Sequence, residues 1–212
     1  MKNFFAVGDI HGCYDKLKSL MEILDNHIDP DSDTIIFLGD YIDRGPNSFE
    51  VVEYLVNLKE RFKNTVFLKG NHEEMLEQYL AGLDKYTYLV NGGQQTLESY
   101  MEKNNSGDSP IPRTHINFFS SLSLFFETRD YIFVHAGLKE KTSVENQISD
   151  DLLWIRGKFL HSNYNFGKKV VFGHTPFPEP LVQDNKIGID TGAVYGNKLT
   201  CVKLPQLEFY QV

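Results

Sequence analysis

A chain of 212 residues, 41% hydrophobic and 24% charged, has the size and composition of a globular domain with a sizeable core. A net charge of −8 with no basic run excludes a broad nucleic-acid surface, although a local cationic pocket is still compatible with it. Cys13 and Cys201 lie far apart and outside any Cys-x-x-Cys spacing, which excludes a disulfide scaffold and a zinc–thiolate site. No signal-peptide pattern and no apolar run near the ~20 residues of a membrane helix is seen, so a cytoplasmic protein with no membrane partner is expected.

The first apolar run, Phe4 to Val7, reads as a strand and leads into Gly8-Asp9-Ile10-His11-Gly12. Leu17, Leu20, Met21 and Leu24 then recur at helical spacing. Asp29 to Asp33 turns the chain into a second strand over 34–38, so residues 4–38 form a β-α-β unit with a parallel pair. Gly39-Asp40-Tyr41-Ile42-Asp43-Arg44-Gly45 follows. Ser48 to Leu58 reads as a helix with Ser48 as its N-cap and Val51, Val52, Leu55 and Leu58 on one face. A third strand over 65–68 passes through Lys69 into Gly70-Asn71-His72-Glu73, and a helix is expected to run on to residue 83.

Residues 84–125 carry no metal-type motif. They are expected to be a helical insertion, either shaping one wall of a cleft or forming a plain helical layer. Breaks are expected at Asn91-Gly92-Gly93 and in a loop over 104–110, with helix over 96–101 and 112–124. The second half is β-rich, with a hairpin of 125–128 and 131–134 and strands over 168–172, 186–189 and 199–204. Two of its strands lead into His135-Ala136-Gly137 and Gly173-His174-Thr175. Early strand–helix alternation and later strand clusters predict a two-sheet sandwich with helices outside, in a single domain over 1–212.

Five apolar runs thus finish in Asp, Asn or His beside glycine. Ligands of open α/β sheets bind outside the carboxyl ends of the strands, so five such ends would gather oxygen and imidazole donors into a metal site. Asp9 and His11 are two apart and point the same way on an extended segment. Asp40 can bridge two metals through its two oxygens, while Asn71, His135 and His174 supply a neutral oxygen and two imidazoles to the second. Mixed oxygen and nitrogen donors suit manganese, iron or zinc. Two such cations ~3.5–4 Å apart would clamp an in-line displacement at phosphorus and generate a hydroxide at neutral pH. Arg44 can hold phosphate oxygens bidentately, His72 can protonate the leaving alkoxide, and Asp43 can orient His72 and raise its pKa. Glu73 is expected behind the ligands rather than among them.

In order, these motifs resemble the five motifs of the calcineurin-like metallophosphoesterases. Asp43-Arg44-Gly45 and Asn71-His72-Glu73 resemble the phosphoprotein phosphatase branch, in particular small bacterial and phage serine/threonine protein phosphatases. The resemblance implies a four-layer α/β/β/α sandwich of two mixed β-sheets flanked by helices. It implies two divalent metal ions, manganese foremost with iron or zinc as alternatives, and one-step hydrolysis of a phosphomonoester by a metal-bridging hydroxide. It also implies His72 as general acid with Asp43 as its partner. A second phosphate-binding arginine is carried over to Arg156, because Leu152-Leu153-Trp154-Ile155-Arg156 resembles the corresponding segment of those small enzymes.

The substrate is expected to be a phosphorylated protein or a small phosphorylated molecule. A serine/threonine protein phosphatase is foremost, and a symmetrical diadenosine tetraphosphate hydrolase is the alternative. A non-catalytic metal-binding scaffold is the alternative of another class, and the presence of His72, Asp43 and Arg44 beside the ligands argues against it. The segment Ile189 to Thr200 resembles one shared by the bacterial phosphatases and the symmetrical hydrolases, so it does not separate these substrates. Within it, Tyr195 is expected to be a buried turn residue rather than a group facing the phosphate. No motif speaks to the oligomeric state.

Overall fold

The computed structural model describes residues 2–103 and 111–212, and the expected loop over 104–110 lies outside the described residues. Among the described residues, ten strands form two five-stranded mixed sheets. The first contains β1 (Phe4–Val7), β2 (Thr34–Phe37), β3 (Thr65–Phe67), β9 (Thr200–Leu204) and β10 (Glu208–Gln211), in the order β10-β9-β1-β2-β3. The expected β-α-β unit is present, with β1 parallel to β2 in the register Phe4↔Thr34. The second sheet contains β4 (Phe125–Glu127), β5 (Tyr131–Val134), β6 (Lys169–Phe172), β7 (Leu181–Val182) and β8 (Lys186–Gly188), in the order β4-β5-β6-β8-β7. The strands β5, β6 and β8 run parallel, and the two edge strands are antiparallel to their neighbours.

The layering follows from strand alternation. Successive side chains leave a strand on opposite faces, and here both faces are apolar. Phe5 and Val7 pack outward with Ile35 and Phe37, whereas Ala6, Ile36 and Leu38 point inward. The inward set meets Phe133, Val171 and Ile187 from the second sheet, which makes the core between the sheets. The outward residues of the second sheet, Ile132, Val134, Val170 and Phe172, pack with Leu152 and Phe159.

Helices cover the outer faces. Helix α1 (Tyr14–Leu24) buries Leu17, Leu20, Met21 and Leu24, and α2 (Ser48–Arg61) buries Val51, Val52, Leu55 and Leu58. Helix α3 (Asn71–Leu80) starts directly from the third motif. Helix α4 (Lys85–Tyr88) continues through Leu89–Gly93, kinked at Gly92 with φ of 105°, into α5 (Gln94–Lys103), and α6 (Arg113–Ser120) follows. On the second sheet lie α7 (Ser149–Trp154) and α8 (Gly157–Leu160).

The structure departs from the sequence expectations at several places, among them the helix expected to run on to residue 83, which ends at Leu80. Asn47, not Ser48, occupies the N-cap of α2, because the Ser48 hydroxyl is buried and bonded to Thr96 at 2.9 Å. Strands β7 and β10 were not anticipated. The first is two residues long, and the second is an edge strand only half-buried along most of its length. The helix expected over 112–124 ends at Ser120.

The five motifs sit at the carboxyl ends of β1, β2, β3, β5 and β6, five of the six parallel strands on either side of the inter-sheet core. Two sheets packed face to face therefore present five loops to one edge.

Candidate metal and phosphate site

The loops reach one another only at a conformational cost. His11, Asp40, Asp43, Arg44 and His174 all have φ between 47° and 72°. They are five of the seven non-glycine residues in the left-handed region among the described residues. Each such residue costs on the order of 1–3 kcal/mol, and such strain clusters where function fixes a side chain. Glycine allows the closest approaches. A Cβ at Gly70 would run into the Asp40 carboxylate, and one at Gly173 would run into the Asp9 carboxylate.

Asp40 lies at the centre, buried, with its carboxylate shared between two groups of donors. One group is His11, Asp40 and His72, and the other is Asp40, His135 and His174. The Asp40 Oδ2 is 3.4 Å from His11 Nε2 and 4.0 Å from His72 Nε2, and its Oδ1 is 3.5 Å from His135 Nε2. Burial would raise its pKa, but His135, His72 and His11 together hold the carboxyl below the usual range.

Each histidine is oriented by a second contact. His11 Nδ1 donates to the Ile42 carbonyl at 2.9 Å, and His135 Nδ1 donates to the Leu38 carbonyl at 2.9 Å. These bonds leave Nε2 of each ring as the lone pair. Burial pushes His11 down to about 3 and His174 down to about 2, and it also lowers His135, so these rings are neutral donors. His72 differs. Burial would lower it too, but Asp40 and the 2.7 Å bond from its Nδ1 to Asp43 Oδ2 outweigh burial and raise it.

Asp43 is fixed in turn. Its Oδ1 accepts from the Thr96 hydroxyl at 2.7 Å, and its backbone N–H donates to Thr96 Oγ1 at 2.8 Å. Thr96 comes from α5, so the helical stretch after residue 84 supplies a direct buttress to the His72 pair. Glu73 is buried behind the ligand loops, where it accepts from the backbone N–H groups of Asp40, Tyr41 and Gly70 at 2.8–2.9 Å. Burial and the nearby Asp40 push it up to about 8. It ties the second motif to the third and is not in either donor group.

The remaining site residues are placed as follows. The Asp9 carboxylate accepts the His174 N–H at 2.9 and 3.2 Å and lies outside the two donor groups. Burial, Asp190 and Asp40 all raise its pKa. Arg44 is half-buried and donates from a terminal guanidinium nitrogen to His11 Nε2 at 2.6 Å. The Arg156 side chain is exposed at the N-cap of α8 and makes no hydrogen bond or ion pair among the described residues, while its carbonyl accepts from the N–H groups of Phe159 and Leu160. Its charge still reaches His135, His174 and Asp190, whose pKa values all respond to it.

Two features escaped the sequence. Asp190 is buried, accepts the Gly192 N–H at 2.9 Å, and is pushed up to about 6 by burial, with Asp40 adding to the shift. Its place after the apolar run 186–189 repeats the strand–Asp pattern of the other motifs, and that was the available signal. Tyr195 is not buried: 64% of its surface is exposed, and the Arg44 guanidinium carbon lies 5.8 Å from its ring centroid.

The donor set fits divalent cations. The His135 Nε2 lone pair faces Asn71 Oδ1 at 3.0 Å and Asp40 Oδ1 at 3.5 Å, so acceptors face acceptors with no proton between them. Nε2 of His174 is buried with no hydrogen-bond partner. Asp9, Asp40 and Asp190 crowd together, with the two arginines as the nearby fixed cations. Positive charge among these groups satisfies the lone pairs and offsets the crowding, and nitrogen–oxygen donors of this kind suit first-row transition ions.

The model of the calcineurin-like phosphoesterase family matches residues 2–203. An asymmetrical bis(5'-nucleosyl)-tetraphosphatase, PrpE, of Geobacillus sp. strain WCH70 is 28% identical over 97% of this chain and 92% of its own length. The crystal structure of a proposed diadenosine tetraphosphatase superposes with a TM-score of 0.76 at 23% identity, covering 99% of this chain and 92% of the other. A cold-active protein-tyrosine phosphatase of a psychrophilic Shewanella sp. superposes with a TM-score of 0.71 at 18% identity, covering 100% of this chain and 77% of the other. At these identities the two structures bear on the fold.

Proposed function

Because the chain belongs to the calcineurin-like phosphoesterase family, we propose that it hydrolyses dinucleoside polyphosphates, using two divalent cations with manganese foremost. It is a phosphate-ester hydrolase, and the substrate is what the proposal adds. The chemistry rests on the Asp40 carboxylate shared by two donor groups, with His72 Nε2 buried and unpartnered beside it. The choice of substrate is supported by relatives named as tetraphosphatases that align over nearly the whole chain.

Asp9, His11, Asp40, Asn71, His135 and His174 would hold the cations. When bound, these supply the Lewis acidity that lowers the pKa of water and neutralises phosphate charge. The protein's own groups do the rest. Asp43 fixes the Nδ1–H of His72, so the second proton of the ring sits at Nε2, facing the site. The raised pKa keeps that proton in place for transfer to the leaving oxygen. Arg44 and Arg156 would bind the equatorial oxygens, one from each sheet's loops.

A serine/threonine protein phosphatase is the second reading, favoured by the Asp43-Arg44-Gly45 and Asn71-His72-Glu73 pattern. A manganese-supplemented comparison of kcat/KM for diadenosine tetraphosphate, a phosphoserine peptide and a phosphotyrosine peptide separates them. The dinucleotide is expected to be preferred, and ATP with AMP as products would match the asymmetrical relatives, whereas two ADP would mark symmetrical cleavage. Preference for the phosphoserine peptide would overturn the choice of substrate. Loss of no phosphate from any of the three, with metal bound, would leave the scaffold.

A further inference from the structure

We infer that Tyr195, with Val90, Asn91 and Gln95 opposite it, forms a nucleobase subsite beside the phosphate-binding Arg44. Tyr195 ends a short helical turn, Ala193–Tyr195, set between Gly192 and Gly196, both left-handed with φ of 71° and 88°. The turn is pinned. Gly192 donates its N–H to Asp190 Oδ1, and Lys16 Nζ donates to the Ala193 carbonyl at 2.9 Å and also to the Asn197 carbonyl. A rigid turn thus holds an aromatic ring largely in solvent, 5.8 Å from the Arg44 guanidinium carbon.

The opposite wall comes from the kink at Leu89–Gly93. Gly92 packs on Arg44, whose backbone N–H it accepts at 3.1 Å, and this anchors the kink to the second motif. Between the kink and Tyr195 lies a cavity of about 440 Å³, lined by Arg44, Val90, Asn91, Gly92, Gln95, Val194 and Tyr195. That volume is within the roughly 300–1,000 Å³ of small-molecule sites.

The lining selects the ligand class. It offers one flat aromatic face, with Val90 61% exposed across from it. It also offers two carboxamides. Asn91 Nδ2 is committed to the Thr87 carbonyl at 2.8 Å, which leaves its Oδ1 as an acceptor, and the Gln95 amide has no partner among the described residues. The sole formal charge in the lining is Arg44, at the end nearest His11. A planar ring with both donor and acceptor edges, joined to a phosphate, matches that order of groups. An extended phosphopeptide needs no such platform.

The proposal shares its substrate with the function proposed above, so the test has a binding arm that needs no turnover. In calorimetry on the manganese-loaded protein, AMP should bind more tightly than ribose 5-phosphate, because only AMP carries the base. Tyr195→Ala should reduce this preference by roughly tenfold to a hundredfold, the usual scale for a base stacked on an aromatic side chain, and Tyr195→Phe should restore it. In the kinetic arm, the ratio of kcat/KM for diadenosine tetraphosphate to that for inorganic tripolyphosphate should fall by a similar factor in Tyr195→Ala.

If AMP binding depends on Tyr195 but diadenosine tetraphosphate is not cleaved, the subsite stands and the proposed substrate falls. If the dinucleotide is cleaved while both the AMP preference and the kinetic ratio ignore Tyr195, the substrate stands and the subsite is overturned. An equal loss for a phosphoserine peptide would also overturn the assignment to a base.

Discussion

The loops after β1, β2 and β3 and the loops after β5 and β6 meet at Asp40, but they are built differently. On the first side the side chains support one another in a chain of contacts. His72 is held by Asp43, Asp43 by Thr96, and the second and third motifs are tied together by Glu73. Arg44 is anchored through its N–H on Gly92 and its guanidinium on His11. On the second side the support thins outward. His135 is fixed by the Leu38 carbonyl, His174 Nδ1 reaches only His135 at 3.2 Å, and Arg156 stands in solvent. The contrast separates a half whose side chains are already held in place from a half with fewer fixed contacts.

Asp40 belongs to both halves, so it should show the largest effect. Asp40→Asn removes the shared charge. The loss of several kcal/mol of stabilisation corresponds to roughly 10³-fold or more in kcat/KM. Metal analysis should show fewer than two ions bound per chain. Wild-type hydrolysis of p-nitrophenyl phosphate by the metal-depleted variant would sink the two-cation site.

His72→Asn tests the first half alone. Metal content should be retained while turnover falls by ~10²–10⁴. The fall should be smaller when the leaving group needs no proton, as with aryl phosphates, and larger for alkyl phosphates. An equal loss for both kinds would remove His72 as the proton donor. Thr96→Val, which leaves Asp43 short of one donor, should reproduce the same leaving-group pattern at ~10-fold scale.

The arginines test the contrast itself. Truncating a charge-assisted phosphate contact costs about 1.5–3 kcal/mol, or ~10–10²-fold. Arg44→Ala should lie toward the upper end, because its side chain is already placed and partly desolvated. Arg156→Ala should lie toward the lower end, and its contribution should shrink further at roughly 0.5 M salt, where exposed charges are screened within a few ångströms. Equal effects with equal salt dependence would erase the distinction between the two halves.

These differences also mark where the sequence was legible. Local, periodic features were readable: β-branched runs ending beside glycine, the spacing of Asp40, Asp43 and Arg44, and the alternation that makes a strand apolar on both faces. They suffice for the sandwich and for naming the residues that converge. Contacts between distant segments were not readable. Thr96 reaches Asp43 across 53 positions of sequence, and no motif marks a threonine in the middle of a helix as its buttress. The exposure of Tyr195 depends on how Gly192, Asp190 and Lys16 pin its turn, and an aromatic residue in a glycine-flanked turn is equally compatible with burial.

Lys186 offers the smallest effect and the finest test of the second half. It is a wholly buried lysine on β8, and its Nζ donates to the carbonyls of Phe159 at 2.6 Å, Ser162 at 2.7 Å and Leu160 at 3.3 Å. The ammonium also lies 4.5 Å from the Phe159 ring centroid. It therefore caps the carboxyl end of α8, the helix whose other end carries Arg156. Lys186→Met keeps the apolar stem but leaves those carbonyls without their donor, at a cost of about 1–3 kcal/mol. For a chain of this size that lowers the melting temperature by roughly 2–12 °C. If α8 is what places Arg156, KM should rise a few-fold with kcat nearly unchanged, and the rise should vanish in an Arg156→Ala background. A lower melting temperature with an unaltered KM would show that Arg156 takes its position from the substrate rather than from the helix. The second half would then be completed wholly on binding.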